Sequence, residues 1–417
     1  MKLRVIGGKK LCGSLKVQGA KNSVLPILAA CVLCKGEVVL HNCPALSDVD
    51  SALKILSHLG LCFERNGEDI IISCNGVKSC EVPSALMSEM RSSVVFLGPI
   101  LASAGCAVVS MPGGCELGPR PIDMHLSALK KLGAEIKDEY GMLKCTVNKG
   151  LKGADIALIF PSVGATENAM LAATLASGTT HITNAAREPE IVDLANFLNA
   201  CGARVFGAGS SSITVEGVKR LFGCEYSIMP DRIAAATFLT AGAITGGDIN
   251  LVGAKKEHII SVLSLLEQAG CEIYSSDNEI RLTAKRPLQA MNIIKTLPYP
   301  GFPTDAQAPL MSLATVCEGS TMFVETIFEN RFRHVCELLK MGADIKTEGK
   351  VAVVNGVKML KSATLNCTDL RGGAAVLLAA LSADGESEIL EIHHIDRGYS
   401  NIEKDFERLG ACVLREE

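Results

Sequence analysis

The 417-residue chain is 48% hydrophobic and 21% charged, with a formal net charge of −4 and no tryptophan. Such a length exceeds one ordinary core and points to two domains. The charge balance, without a long basic run, argues against a nucleic-acid binder and leaves room for a local pocket of arginines that holds a small anion. The longest apolar runs, such as VLPILAACVLC ending at Cys34, fall short of the roughly 18 residues of a membrane span. The start, MKLRVIGGKKL, lacks the apolar core of a signal peptide. A cytoplasmic protein without a membrane anchor is expected.

Taken in chain order, the elements repeat six times. Each repeat opens with an almost wholly apolar segment that ends near a glycine and runs into a strand; the glycines are Gly36, Gly105, Gly178, Gly247, Gly319 and Gly385. Each glycine fits a helix C-cap, where a left-handed residue is favoured. An amphipathic segment follows, ends in a second glycine and leads to another strand. These glycines are Gly60, Gly133, Gly202, Gly270, Gly342 and Gly410. The period is about 70 residues, long enough for several elements per unit. The first helix of each repeat must be buried on every side and the second should lie nearer solvent. Six such units are too many for one core, so two domains of three repeats, with buried helices and outer sheets, are predicted.

Charges stand at the predicted starts of the buried helices. The corresponding residues are Lys21, Arg91, Gly164, Arg232, Asp305 and Arg371. A cation at a helix start opposes the helix dipole, and Ser or Asp would be the stabilising choice. One such charge is an ordinary solvated end. Four cations in one register suggest an anion site, where Lys and Arg act beside free helix N–H groups.

The second repeat is longer than the others, and the surplus falls in PGGCELGPRP. Its lone thiol, Cys115, has little apolar packing nearby, and Arg120 can lower its pKa. The segment reads as a mobile loop carrying a thiol and a guanidinium. The other cysteines of the seventeen read as small core hydrophobes. Cys31 and Cys34 form one close pair in an apolar helix, without a second pair or a His pair at zinc spacing, so no metal is expected.

The motifs GAKNSVLPIL, MPGGCELGPRPIDMH, SVGATENAML, REPEIVDLANFL, PDRIAAATF, GFPTDAQAP, ENRFRHVCELLKMGADI, TDLRGGAA and HHIDRGYSNIEKDFERLGA resemble the UDP-N-acetylglucosamine 1-carboxyvinyltransferases of the enolpyruvyl transferase family. The likeness is colinear and runs nearly end to end. It implies an α+β fold: a two-domain inside-out α/β barrel of six pseudo-repeats, with buried helices and sheets outside. Residues 1–20 and 230–417 would form the domain holding both termini. Residues 21–229 would form the second, with the Cys115 lid loop, and the active site would lie in the cleft between them.

The resemblance implies transfer of the enolpyruvyl group of phosphoenolpyruvate to the 3-hydroxyl of UDP-N-acetylglucosamine, with release of phosphate and without a cofactor or metal. This opens peptidoglycan synthesis and is the target of fosfomycin. By motif, Lys21, Arg120 and Arg397 would hold phosphoenolpyruvate, and Arg331 and Arg371 would support its carboxylate. Asn22 and Arg91 would order the site. Asp305 would take or orient the hydroxyl proton, and Cys115 would protonate the methylene carbon. Arg120, Pro121, Ile122, Asp123, Met124, Ser162, Val163 and Gly164 would bind the uridine nucleotide, with Asp305 and Ile327 near the sugar. The partners would be these two substrates, with no nucleic acid or membrane, and the chain a monomer or weak homo-oligomer. Ala234 and Phe160 depart from residues common in the family. The alternatives are an enolpyruvyl transferase for another acceptor, an RNA 3′-phosphate cyclase using His393 or His394, and a clamp-like binding ring.

Overall fold

A computed structural model describes residues 1–110 and 122–416, with Arg91 described by its backbone alone. The chain forms two compact units. One joins Met1–Gln18 to Pro230–Glu417, and the other comprises the described residues from Gly19 to Met229. Each has its own hydrophobic core.

Six helices carry the interior. In the second unit they are α1 (Lys21–Ala30), α2 (Leu97–Ala104) and α3 (Val163–Ala173). In the first they are α4 (Arg232–Thr245), α5 (Gln307–Ala314) and α6 (Leu370–Ser382). Every residue of α4 and α5 is buried. Such helices need small side chains and no unsatisfied polar groups. In α4 the hydroxyls of Thr237, Thr240 and Thr245 donate to the carbonyls of Ile233, Ala236 and Ala241, one turn back along the helix. Helices α4, α5 and α6 pack on one another, as do α2 and α3. In α1, α3 and α6 only residues of the first turn, Asn22, Val163, Gly164 and Leu370, are less than fully buried, whereas in α2 the far end opens: Leu97–Leu101 are enclosed, but Ser103 and Ala104 reach solvent.

Around each buried helix lies a sheet of one design. Strand Ile293–Lys295 runs parallel to Ser320–Val324, with α5 as the crossover. Val351–Asn355 pairs antiparallel to Ser320–Val324 and brings Asp344–Glu348 along the edge. Their residues alternate between core and solvent, as the strand period of two requires. The ends of each unit's chain complete other sheets. Lys2–Ile6 lies between Glu386–Leu390 and Cys412–Glu416. Cys12–Lys16 pairs with Asp248–Val252. In the second unit, Leu221–Phe222 and Glu225–Ser227 pair with Cys34–His41.

The six amphipathic segments end in one way. Gly60, Gly133, Gly202, Gly270, Gly342 and Gly410 all have φ between 86° and 100°. Each donates its N–H to a carbonyl three residues back, and the next residue bonds one five residues back, as in Leu61 N–H to Leu56 O. These are six Schellman caps. The other glycine series differs from expectation. Gly105 caps α2, but the cap of α4 is Gly246, one residue before Gly247. Gly36 lies in a strand, and Gly178, Gly319 and Gly385 turn the chain into one. Nor is Cys31–Cys34 helical: Cys31–Leu33 is a 3-10 turn and Cys34 opens a strand. Burial pushes the thiols of Cys43, Cys271, Cys317 and Cys367 up to about 12, which fits inert core residues.

Gly133 has φ +100° and open space where a Cβ would stand. Gly133→Ala should therefore cost about 1–2 kcal/mol through backbone strain alone, read as a lower urea midpoint with an unchanged slope. No loss would show that the cap tolerates a side chain.

Candidate functional site

In the first unit, charge gathers where α5 and α6 begin. The segment Thr304–Ala306 is a 3-10 turn that leads into α5, so Asp305 precedes the helix rather than opening it. Arg331 Nη2 reaches Asp305 Oδ1 at 2.8 Å, and Arg371 Nη2, on the first turn of α6, reaches Oδ2 at 3.0 Å. Both arginines are buried, at 3% and 4% side-chain exposure, while Asp305 keeps 27%. Burial opposes the charge on Arg371, but Asp305 and Tyr399 outweigh it and hold the guanidinium protonated. Arg331 also donates to the Thr304 carbonyl, and its buried Nε has no partner among the described residues.

The turn around Asp305 is shaped by Glu325. Its Oε2 accepts from Thr304 Oγ1 at 2.9 Å. Its Oε1 accepts from Thr296 Oγ1 and from the N–H groups of Ile327 and Phe328. Ile327 and Asp305 are thus ordered by one buried carboxylate. Arg397 ends the 3-10 segment Ile392–Arg397 and is half-buried. His393 and His394 stack at 4.1 Å between ring centroids, with His393 paired to Glu391.

Charges at helix starts are partly offset by acids one or two residues ahead. Asp231 accepts from the N–H groups of Ile233 and Ala234 at the start of α4. Asp369 accepts from those of Arg371 and Gly372 at the start of α6. The sequence expectation of free N–H groups beside Arg232 and Arg371 is corrected accordingly. The aspartates satisfy those donors, so the helix N–H groups beside the two guanidinium groups are already capped. Ala234 is fully buried.

The second unit carries other expected residues. Lys21 opens α1, is buried and forms an ion pair with Asp48 at 2.8 Å. Asn22 is half-exposed beside it. Ser23 donates to Asp193, which also accepts from Tyr226 Oη at 2.7 Å and Met229 N–H at 3.3 Å. Ser162 caps α3, accepting from Ala165 N–H at 3.4 Å. Among the described residues, the N–H groups of Val163 and Gly164 have no partner. Ile122 is buried just before the helix Asp123–Lys131, while Asp123 is exposed and Met124 half-buried. Ile159 and Phe160, preceding Ser162, are exposed. Arg91 opens the 3-10 segment Arg91–Phe96 rather than α2. Cys115, Arg120 and Pro121, and the expected lid, lie outside the described residues.

Several residues were not legible as site residues in the sequence. Asp48, Glu325 and Tyr399 act through partners distant in the chain. His125 had a closer signal, since it follows the PIDM segment directly. Its Nδ1 lies 2.8 Å from the Asn168 amide nitrogen, and Asn168 Oδ1 accepts from Gly98 N–H. The amide therefore donates to Nδ1, which places the imidazole proton on Nε2. The ring edge faces Gly164, where a Cβ would stand 2.9 Å from His125 Cε1.

Among the described residues no group of His, Cys, Asp and Glu is arranged to hold a metal ion, and no helix is long and apolar enough to cross a membrane.

Burial lowers the His125 pKa to about 4, against roughly 6.5 in an unfolded chain. Between these values the unfolded state binds more protons, so stability is full above about pH 6.5 and is lost as pH falls toward 4. His125→Asn should flatten this part of the curve in urea unfolding from pH 4 to 7.5, by up to roughly 3 kcal/mol relative to the native chain. Parallel curves would contradict the buried neutral imidazole.

Comparison with known proteins gives a consistent outcome. A model of the family "EPSP synthase (3-phosphoshikimate 1-carboxyvinyltransferase)" matches residues 5–406. UDP-N-acetylglucosamine 1-carboxyvinyltransferase 2 of Caldanaerobacter subterraneus subsp. tengcongensis is 50% identical over 416 residues, covering 99% of each chain. The UDP-N-acetylglucosamine 1-carboxyvinyltransferase of Geobacter metallireducens is 48% identical over 414 residues, again 99% of each. The crystal structure of the enolpyruvyl transferase NikO from Streptomyces tendae superposes with a TM-score of 0.89 at 22% identity, covering 99% of this chain and 98% of that one. EPSP synthase from Acinetobacter baumannii gives a TM-score of 0.77 at 20% identity, covering 100% of each chain. The chain belongs to the EPSP synthase family of carboxyvinyltransferases.

Proposed function

We propose that the chain transfers the enolpyruvyl group of phosphoenolpyruvate to the 3-hydroxyl of UDP-N-acetylglucosamine, releasing phosphate, as the first committed step of peptidoglycan synthesis. The observation that carries this reading is 50% identity, over 99% of both chains, with a relative named for that activity. A second support is Asp305 held between the buried arginines Arg331 and Arg371, with Arg331 Nε lacking a partner among the described residues. Phosphoenolpyruvate carries a phosphate and a carboxylate, and fixed guanidinium groups suit both.

In this reading Lys21, Arg120 and Arg397 hold phosphoenolpyruvate. Arg331 and Arg371 already grip Asp305 and turn remaining N–H donors to the substrate carboxylate. Asn22 and Arg91 order the site. The Cys115 thiol protonates the methylene carbon, leaving a cationic centre at the adjacent carbon. The sugar hydroxyl oxygen adds there, its proton accepted or oriented by Asp305, whose negative charge stabilises the centre. The resulting ketal loses a methyl proton and phosphate by C–O cleavage, giving the enol ether. Each step is a proton transfer or a C–O bond change, within reach of side-chain chemistry. Ile122, Asp123, Met124, Ser162, Val163 and Gly164, with Arg120 and Pro121, take the nucleotide, the two N–H groups at the α3 start that have no partner among the described residues suiting its phosphates. Ile327 lies by the sugar.

The reading expects phosphate release from phosphoenolpyruvate only when UDP-N-acetylglucosamine is present. Release without the sugar, or none with it, would sink it. Asp305→Ala should lower kcat by about 10²–10⁴-fold. Fosfomycin should alkylate Cys115, and Cys115→Asp should keep transfer while escaping alkylation. Labelling at another cysteine would contradict the role given to Cys115.

A further inference from the structure

Tyr399 is almost fully buried, at 2% exposure, beside the Arg371 guanidinium. Its Oη lies 3.1 Å from Arg371 Nη1 and 2.8 Å from Thr237 Oγ1. The direction of each bond can be assigned. Arginine only donates, so Tyr399 Oη accepts from Arg371. Thr237 has one hydroxyl proton and gives it to the Ile233 carbonyl at 3.0 Å. Tyr399 must therefore donate to Thr237. Burial raises the Tyr399 pKa, which keeps the proton that this chain of bonds needs. Arg371 is thus held by Tyr399 on one nitrogen and by Asp305 on the other.

The turn that carries Tyr399 is itself clamped. Gln18 Nε2 donates to the Gly398 carbonyl at 3.0 Å, and Gln18 Oε1 accepts from Ser400 N–H at 2.9 Å. One side-chain amide thereby fixes the backbone on both sides of Tyr399. Gly398 is pressed against Leu370, where a Cβ would stand 2.6 Å from Leu370 Cδ1. Gln18 is the last residue of the unit's first segment, and its carbonyl accepts from Asp231 N–H at 2.8 Å, where the chain re-enters the unit. The point at which the chain leaves and rejoins this unit is bonded through Tyr399 to the arginine.

We infer that Gln18 and Tyr399 are positioning residues that hold Arg371, and with it Asp305, in the orientation that phosphoenolpyruvate meets. The inference rests on the functional reading above, since the substrate of Arg371 is taken from it. Both residues act through protein partners, Gln18 on the Tyr399 turn and Tyr399 on Arg371 and Thr237. Their effect passes through the aim of one guanidinium, so it should appear in the binding of one substrate and not the other.

The test is steady-state kinetics of Tyr399→Phe, Gln18→Met and the double variant, with melting temperatures measured alongside. Loss of the Tyr399 bond to the charged guanidinium predicts a KM for phosphoenolpyruvate raised about 10-fold in Tyr399→Phe, and loss of the two backbone bonds that fix the Tyr399 turn predicts a rise of similar size in Gln18→Met. The KM for UDP-N-acetylglucosamine should stay within about twofold. The double variant should be little worse than either single one, because both act on the same side chain. Unchanged KM values, equal rises in both, or multiplicative losses would overturn the inference, whatever the melting temperatures do. If the native chain releases no phosphate, the functional reading has failed. The positioning claim then stands or falls on nitrogen-15 NMR of the Arg371 guanidinium. Slow Nη rotation in the native chain, lost in both variants, supports it; equal rotation in all three overturns it.

Discussion

Everything in the first unit's site is arranged around one carboxylate held between two buried guanidinium groups. Asp305 accepts from Arg331 and Arg371 at 2.8 and 3.0 Å. Taking such charges from water costs several kcal/mol per ion, and their mutual attraction recovers the loss only where the geometry is good. The fold supplies that geometry from three directions. Asp305 comes from the turn before α5, Arg371 from the first turn of α6, and Arg331 from the loop that Glu325 helps to order. Asp369 and Asp231 also act electrostatically on Arg331 and Arg371, so the two guanidinium groups face acids on more than one side.

Helix starts make this possible. A buried helix offers unpaired N–H groups at its beginning, and a cation placed there is unfavourable unless something answers it. In α4 and α6 the answer is an aspartate cap, Asp231 and Asp369. In α1 it is the ion pair from Lys21 to Asp48. In α3 a serine caps the helix and a neutral histidine stands by Gly164, and the N–H groups of Val163 and Gly164 have no partner among the described residues. The repeated register of the sequence therefore produces different local chemistry in each copy, set by which residue answers the helix start: a cap just ahead of it in α3, α4 and α6, and a distant aspartate in α1.

Much of the fold was visible in the sequence because its signals are local. The glycines that end the amphipathic segments recur in register, and all six form the same cap. The segments Arg232–Thr245 and Gln307–Ala314, apolar but for a few short polar residues after their first position, read as interior helices. What was not legible depends on partners far along the chain. Lys2–Ile6 completes a sheet with residues after 385, and Gln18 bonds residues 398 and 400; no local pattern predicts such pairing. Gly247 was misplaced as a cap because the left-handed residue sits one position earlier, in a Gly-Gly pair that sequence alone does not resolve. The charges of Lys21, Arg371 and Asp305 could be picked out by register, but not their mutual partners. Cys115 and Arg120 drew notice through their Gly/Pro setting, and their arrangement lies outside the described residues.

Under the proposed function, the charges at the starts of the buried helices serve chemistry rather than the fold. The most direct test is the unfolding free energy of a chain in which Arg331→Met, Asp305→Leu and Arg371→Met are combined. Apolar replacement of a buried ionic group is often neutral or stabilising by about 1–4 kcal/mol, so stability equal to or above the native value is predicted, in a protein that no longer releases phosphate. A loss of more than about 4 kcal/mol would place these residues among the structural supports and contradict the account.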